Sequence, residues 1–145
     1  DELVRALSAL FQSNGADVNV ELALFDADRG ENLEAAIALA RRTYAERPSV
    51  KVADVLAWSL YAAGRYDEAR AASQQALRLG TKDALMYFHA GMIAAKLGDR
   101  PAAVAALETA LAINPYFSPV HAPAARQALS ELSVASRQSP VDEAR

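Results

Sequence analysis

Apolar and small residues recur along this chain in three- and four-residue steps, and a glycine interrupts the steps at a fixed interval. Gly64-Arg65-Tyr66-Asp67-Glu68-Ala69 returns 34 residues later as Gly98-Asp99-Arg100-Pro101-Ala102-Ala103, and Ala76-Leu77-Arg78-Leu79 returns as Ala110-Leu111-Ala112-Ile113 at the same offset. Steps of three and four describe one face of an α-helix, and a period in this range describes a helix pair that buries its apolar face only by stacking on its neighbours. One period before Gly64 stands Gly30, followed by Leu33, Ala35 and Ala36, and Pro48 closes that segment one residue later than strict register requires. The pattern predicts helix pairs at 16–29 with 32–46, 50–63 with 66–79, and 84–97 with 100–113, grouped as repeats 16–49, 50–83 and 84–117.

The turns are written in the same sequence. Glycine at the end of a helix adopts the left-handed conformation that closes it, and Asp99 with Pro101 supplies a capping oxygen and a pre-set dihedral for the helix that follows. Asn114-Pro115 ends the sixth helix. Ala57 and Gly91 on the first helices, and Ala69 and Ala103 on the second, are small where two backbones must approach closely. Leu3, Leu7, Leu10 and Phe11 keep helical spacing ahead of Asn14-Gly15, so residues 1–15 read as half of a preceding repeat or a cap. Pro119 and Pro123 forbid a full helix from 118, so within 118–135 a shorter capping helix is expected from near Ala122 through Leu132, followed by a mobile tail at 136–145.

These residues resemble the tetratricopeptide repeat, a 34-residue helix-turn-helix family. The third repeat supplies Tyr87, Gly91, Gly98, Ala103, Ala110 and Pro115 at the family's positions, and the second supplies Leu56, Ala57, Gly64, Tyr66, Ala69 and Ala76. The first keeps Leu22, Ala23, Gly30 and Pro48, and the second has Thr81 where proline is usual. The resemblance covers residues 16–115. It implies an all-α, right-handed superhelix of about three helix pairs with a flanking helix at each end, and a surface that binds peptides or proteins.

In such arrays the first helix of each pair lines a concave groove. Carried onto this sequence, the groove positions are Asp17, Val20, Leu24, Ala27 and Asp28 in the first repeat, Lys51, Asp54, Trp58, Tyr61 and Ala62 in the second, and Leu85, Phe88, Met92, Ala95 and Lys96 in the third. Trp58, Tyr61, Phe88 and Met92 would form an aromatic and apolar recognition patch, while the bland reading is that some of them complete the packing between neighbouring helices. The family's clamp for terminal carboxylates needs lysine, arginine and asparagine, and here Val20, Leu24, Val55, Leu85 and His89 stand in those places. A chaperone-tail receptor is therefore not expected.

Composition narrows the partner. The 145 residues are 52% hydrophobic with a net charge of −3, and no apolar run reaches the roughly 18 residues of a membrane span. Phosphate binding needs a basic surface, which weighs against nucleic acid. Residues 1–40 hold eight acids against Arg5 and Arg29, so a ligand with a basic segment suits the amino-terminal end. Cysteine is absent, which removes disulfides and thiolate chemistry but leaves the compartment, cytoplasmic or exported, undetermined. The start at Asp1 reads as a fragment or processed product, the carboxy-terminal repeats of a longer array.

Chemistry of other kinds is not encoded in a recognisable form. Asp26-Ala27-Asp28-Arg29-Gly30 begins like a calcium loop, but its glycine comes too early and Ile37 occupies the twelfth place, where glutamate is needed. His89 and His121 lie 32 residues apart, without a nucleophile motif near either. The glycines are isolated, one per turn, unlike a phosphate-binding loop. No enzyme, metal or cofactor is expected. The reading is a protein-interaction scaffold, with a homodimerisation domain, an RNA-binding repeat or a regulatory appendage of an enzyme as alternatives.

Overall fold

The computed structural model describes residues 18–137, and these are all helix and turn. Seven helices follow one another: α1 (Val18–Arg29), α2 (Leu33–Glu46), α3 (Val50–Ala62), α4 (Tyr66–Leu77), α5 (Ala84–Lys96), α6 (Arg100–Ile113) and α7 (His121–Arg137). They belong to two compact units, one ending at Leu79 and one beginning at Gly80. The residues expected to form a helix before Asn14, Asp17, and the tail beyond Arg137 lie outside the described residues.

Local chemistry sets each boundary. Gly64 and Gly98 both have φ of 75°. After α3, the Gly64 N–H donates to the Tyr61 carbonyl at 2.9 Å and the Arg65 N–H to the Leu60 carbonyl at 2.9 Å. After α5 the same pair of bonds runs from Gly98 to Ala95 at 3.1 Å and from Asp99 to Ala94 at 3.0 Å. This double closure satisfies carbonyls that a helix end otherwise leaves open, and it needs a left-handed residue at its corner. The starts are capped by side chains. Ser49 Oγ accepts from the Val52 N–H at 3.1 Å, Asp83 Oδ1 from Leu85 and Met86 at 2.9 and 3.3 Å, and Asp99 Oδ1 from Ala102 at 3.3 Å.

In the first unit α1 packs on α2 and α3, α2 on α3, and α3 on α4. Val20, Ala23, Ala36, Ala40, Val52 and Val55 form its core, with Leu24, Tyr44 and Leu56 packed against them. In the second unit α5 packs on α6 and α7, and α6 on α7. Ala57, Ala69 and Ala103 are fully buried, and a Cβ added at Gly91 would stand 2.6 Å from Leu107 Cγ. The small residues are thus buried among packed helices, and at Gly91 there is no room for a methyl group beside Leu107.

Two boundaries differ from the sequence expectation. Helix α4 stops at Leu77, two residues early, because Gly80 (φ 65°) turns the chain toward the Asp83 cap. Helix α7 continues to Arg137, into the stretch expected to be tail. Its only proline, Pro123, falls in the first turn, where a missing N–H costs nothing, and nothing after it interrupts helix. Ser118 Oγ accepts from the Val120 and His121 N–H groups at 3.3 and 3.1 Å and starts that helix.

Candidate protein-interaction surface

The groove positions of the first unit come from α1 and α3. Leu24 is half-buried against the core, Asp28 and Lys51 are exposed, and Tyr61 is half-buried. Trp58 lies at the centre. Its Nε1 donates to Asp28 Oδ1 at 2.8 Å, and its ring stacks on Tyr61 at 4.5 Å with the planes 6° apart. Tyr66 follows at 5.7 Å from Tyr61. Burial pushes the Tyr61 phenol above its ordinary pKa, and the neighbouring Tyr66 adds to the effect, so Tyr61 presents a neutral O–H at physiological pH. Lys51 pairs with the Glu21 carboxylate, one turn away from the positions the spacing had singled out on α1.

In the second unit Leu85 is half-buried at the start of α5, Met92 is half-buried, and Lys96 is exposed at the end. Met92, Ala95 and Lys96 form one wall of a crevice of about 290 Å³, and Ala128, Glu131, Leu132 and Ala135 of α7 form the other. The α7 residues escaped the sequence reading because that helix was treated only as a cap. The repeat of small residues at 128 and 135 was the available signal.

Five groove positions are not surface positions. Val20 is a core residue, Ala27 and Asp54 are 5% exposed, Trp58 7% and Phe88 1%. The cause is the packing of first helices on more than one side: α3 contacts α1, α2 and α4, and α5 contacts α6 and α7. Phe88 is further enclosed by the Phe117 and His121 rings at 5.7 and 4.9 Å. The three- and four-residue spacing puts these positions on one stripe, but five of the fourteen described ones face inward. Of the four aromatic and apolar residues, only Tyr61 in the first unit and Met92 in the second keep part of their surface in solvent.

Residues 84–117 match the family model described as Tetratricopeptide repeat. That span holds α5, the Gly98 turn and α6, and it repeats the helix-glycine-helix plan of the pairs before it. The match covers that one helix pair and, with the run of seven described helices, supports a tetratricopeptide-type repeat. No curated protein matches the sequence. Tetratricopeptide repeats are generally protein–protein interaction modules and typically not enzymes. Among the described residues no group of three or more histidines or carboxylates is placed to hold a metal ion. No described helix is long and apolar enough to cross a membrane.

Proposed function

We propose that this chain is a non-enzymatic scaffold that binds a peptide or protein segment through its first helices. Within the second unit, the observation that carries the proposal is the crevice between α5 and α7, where Met92 offers an adaptable apolar wall between Lys96 and Glu131. Within the first unit, Asp28, Lys51 and Tyr61 offer polar groups along the stripe that holds the buried Trp58, and Leu24 an apolar one. Leu85, half-buried on α5, extends the apolar wall, and the exposed Asp28 and Glu131 suit a ligand carrying a basic segment. Asp17 joins the acidic end on sequence grounds.

A displayed library of random twelve-residue peptides, selected on the parent chain and counter-screened on Met92→Glu and Lys96→Glu, tests this reading. Enriched sequences that bind the parent at micromolar levels and are lost on either variant support it. Failure to enrich any sequence, or equal binding to all three proteins, would overturn it.

Self-association has one specific observation in its favour. Leu22 and Phe25, three residues apart on α1, are 38% and 56% exposed, an apolar pair of the kind that marks contacts. Sedimentation velocity across a dilution series decides. A dimer that Phe25→Asp dissociates establishes this reading, and a monomer at every concentration removes it.

A further inference from the structure

A second crevice opens in the first unit on a different side of α3. It measures about 360 Å³, larger than the one beside Met92, and its volume falls in the range of about 300–1,000 Å³ that accommodates ligands. Leu56, Leu60 and Ala53 of α3 form the floor, Arg41 and Tyr44 of α2 one wall, and Ala71, Ala72 and Gln75 of α4 the other. Ala71 and Ala72 leave the space, since each contributes only a methyl group to that wall. At about 100° per residue, the floor positions 53, 56 and 60 lie roughly 150° around α3 from the stripe at 51, 54, 58 and 61. The crevice is thus separate from the surface considered above, and its occupancy does not depend on that reading.

The rim carries an uneven charge. Glu68 receives both arms of Arg65, at 2.8 and 2.9 Å, and also Arg41 Nη2 at 2.6 Å. One carboxylate is therefore shared by two guanidinium groups, and the second carboxylate near Arg65, that of Glu34, stands at 3.8 Å and is largely in solvent. Arg41 engages Glu68 through a single nitrogen, and its side chain is 47% exposed. Residues 33–47 and 65–78, the second helices with their flanks, hold six arginines, no lysine and four carboxylates. Helix α1 has the opposite balance, with Glu21, Asp26 and Asp28 against Arg29. Arginine is the side chain whose geometry matches a carboxylate in two-point pairing.

An apolar floor of this size beside an arginine in surplus fits one kind of occupant. We propose that the crevice between α2 and α4 is a second docking site, which takes a large apolar side chain from an acidic segment of a partner protein while a flanking carboxylate pairs with Arg41. The site would give the chain two binding faces of opposite preference, as a scaffold joining two partners requires.

The probe is a fluorescein-labelled nine-residue peptide with a central phenylalanine flanked on each side by four glutamates, followed by anisotropy at low salt. Replacing the phenylalanine with alanine is expected to weaken binding about tenfold, the worth of burying one aromatic side chain. Replacing the glutamates with lysines is expected to weaken it by at least about tenfold, because Arg41 then meets a like charge. Arg41→Gln keeps the aliphatic stem and is expected to weaken the parent peptide, and Ala72→Phe, which fills the crevice, to abolish its binding. Lys82→Glu, an exposed residue that lines neither crevice, leaves it unchanged. Absence of binding, equal affinity for the three peptides, or binding undiminished in Arg41→Gln and Ala72→Phe would overturn the proposal. So would a dimer in sedimentation that Ala72→Phe dissociates, since the occupant would then be a second copy.

Discussion

Gly91→Ala should destabilise the second unit although alanine is the better helix former. Gly91 lies within α5, where exchanging glycine for alanine alone contributes about 0.8–1.0 kcal/mol of stability. Against this, the new Cβ would stand 2.6 Å from Leu107 Cγ, 2.8 Å from Cδ2 and 3.2 Å from the Leu107 backbone nitrogen, where carbon contacts prefer about 3.5–4.0 Å. Leu107 is fully buried, so its side chain has no space to swing into and α5 must lift from α6. Overpacking of this kind costs about 1–3 kcal/mol, and the approach to the backbone nitrogen puts it at the upper end, leaving a net loss of about 1–2 kcal/mol. The two units need not unfold together, so the measurement should be hydrogen exchange of the α5 and α6 amides, which reports the opening free energy locally. The same exchange in a Leu107→Ala background, itself costing about 2–5 kcal/mol, should reverse sign, because the clash is gone and only helix propensity remains. Gly91→Ala as protective as the parent, or without a change of sign in the double variant, would refute the close-packing argument.

Asp83→Ala should cost about 0.5–2 kcal/mol by removing the oxygen that two α5 amides share, and urea unfolding should show it, with Asp83→Ser or Asp83→Asn recovering most of the loss. The Glu68 carboxyl is held below its ordinary value of 4.5, chiefly by the hydrogen bond from Arg65 and further by the charges of Arg65 and Arg41. A carboxylate with a depressed folded-state pKa stabilises in full above its unfolded value and loses that contribution as pH falls through the folded one. Between neutral pH and the region below 4.5 the parent should therefore lose more stability than Glu68→Gln, and molar salt should shrink the difference, since the network is at the surface. Parallel pH profiles for the two proteins would show that this ion network contributes nothing.

The helices were readable because their ends are local events. A glycine after an apolar run, and an aspartate or serine before the next, determine closure and start within a few residues, and that is why α3, α5 and α6 fall where spacing put them. The misjudged ends follow from the same rule: Gly80 was passed over as a helix stop, and no glycine or proline between Leu132 and Arg137 supplies the stop that an earlier end of α7 would need. The crevices were not readable, because each depends on which residues two different helices bring together. Ala71-Ala72 and Tyr44 carry no periodic signature of a cleft, and the surplus arginine charge is visible only once Glu68 is seen between Arg41 and Arg65.

The groove expectation failed at its aromatic centre for a physical reason that also determines how binding must be tested. Spacing assigns a residue to a stripe but not to a depth, and in a helix covered by its neighbours the largest apolar side chains of any stripe are drawn inward, as Phe88 was against Phe117 and His121. Phe88→Ala should then cost about 3–5 kcal/mol of stability, a large part of the roughly 5–15 kcal/mol that holds a domain together. A variant of this kind that fails to bind would report a loosened α5 and say nothing of contact with a ligand. Phe88→Ala is expected to lose hydrogen-exchange protection through α5, α6 and α7, whereas Lys96→Glu, exposed and without a packing role, is expected to lose none. If Phe88→Ala kept full protection, Phe88 would not be the core residue that its burial makes it, and the aromatic groove would have to be reconsidered.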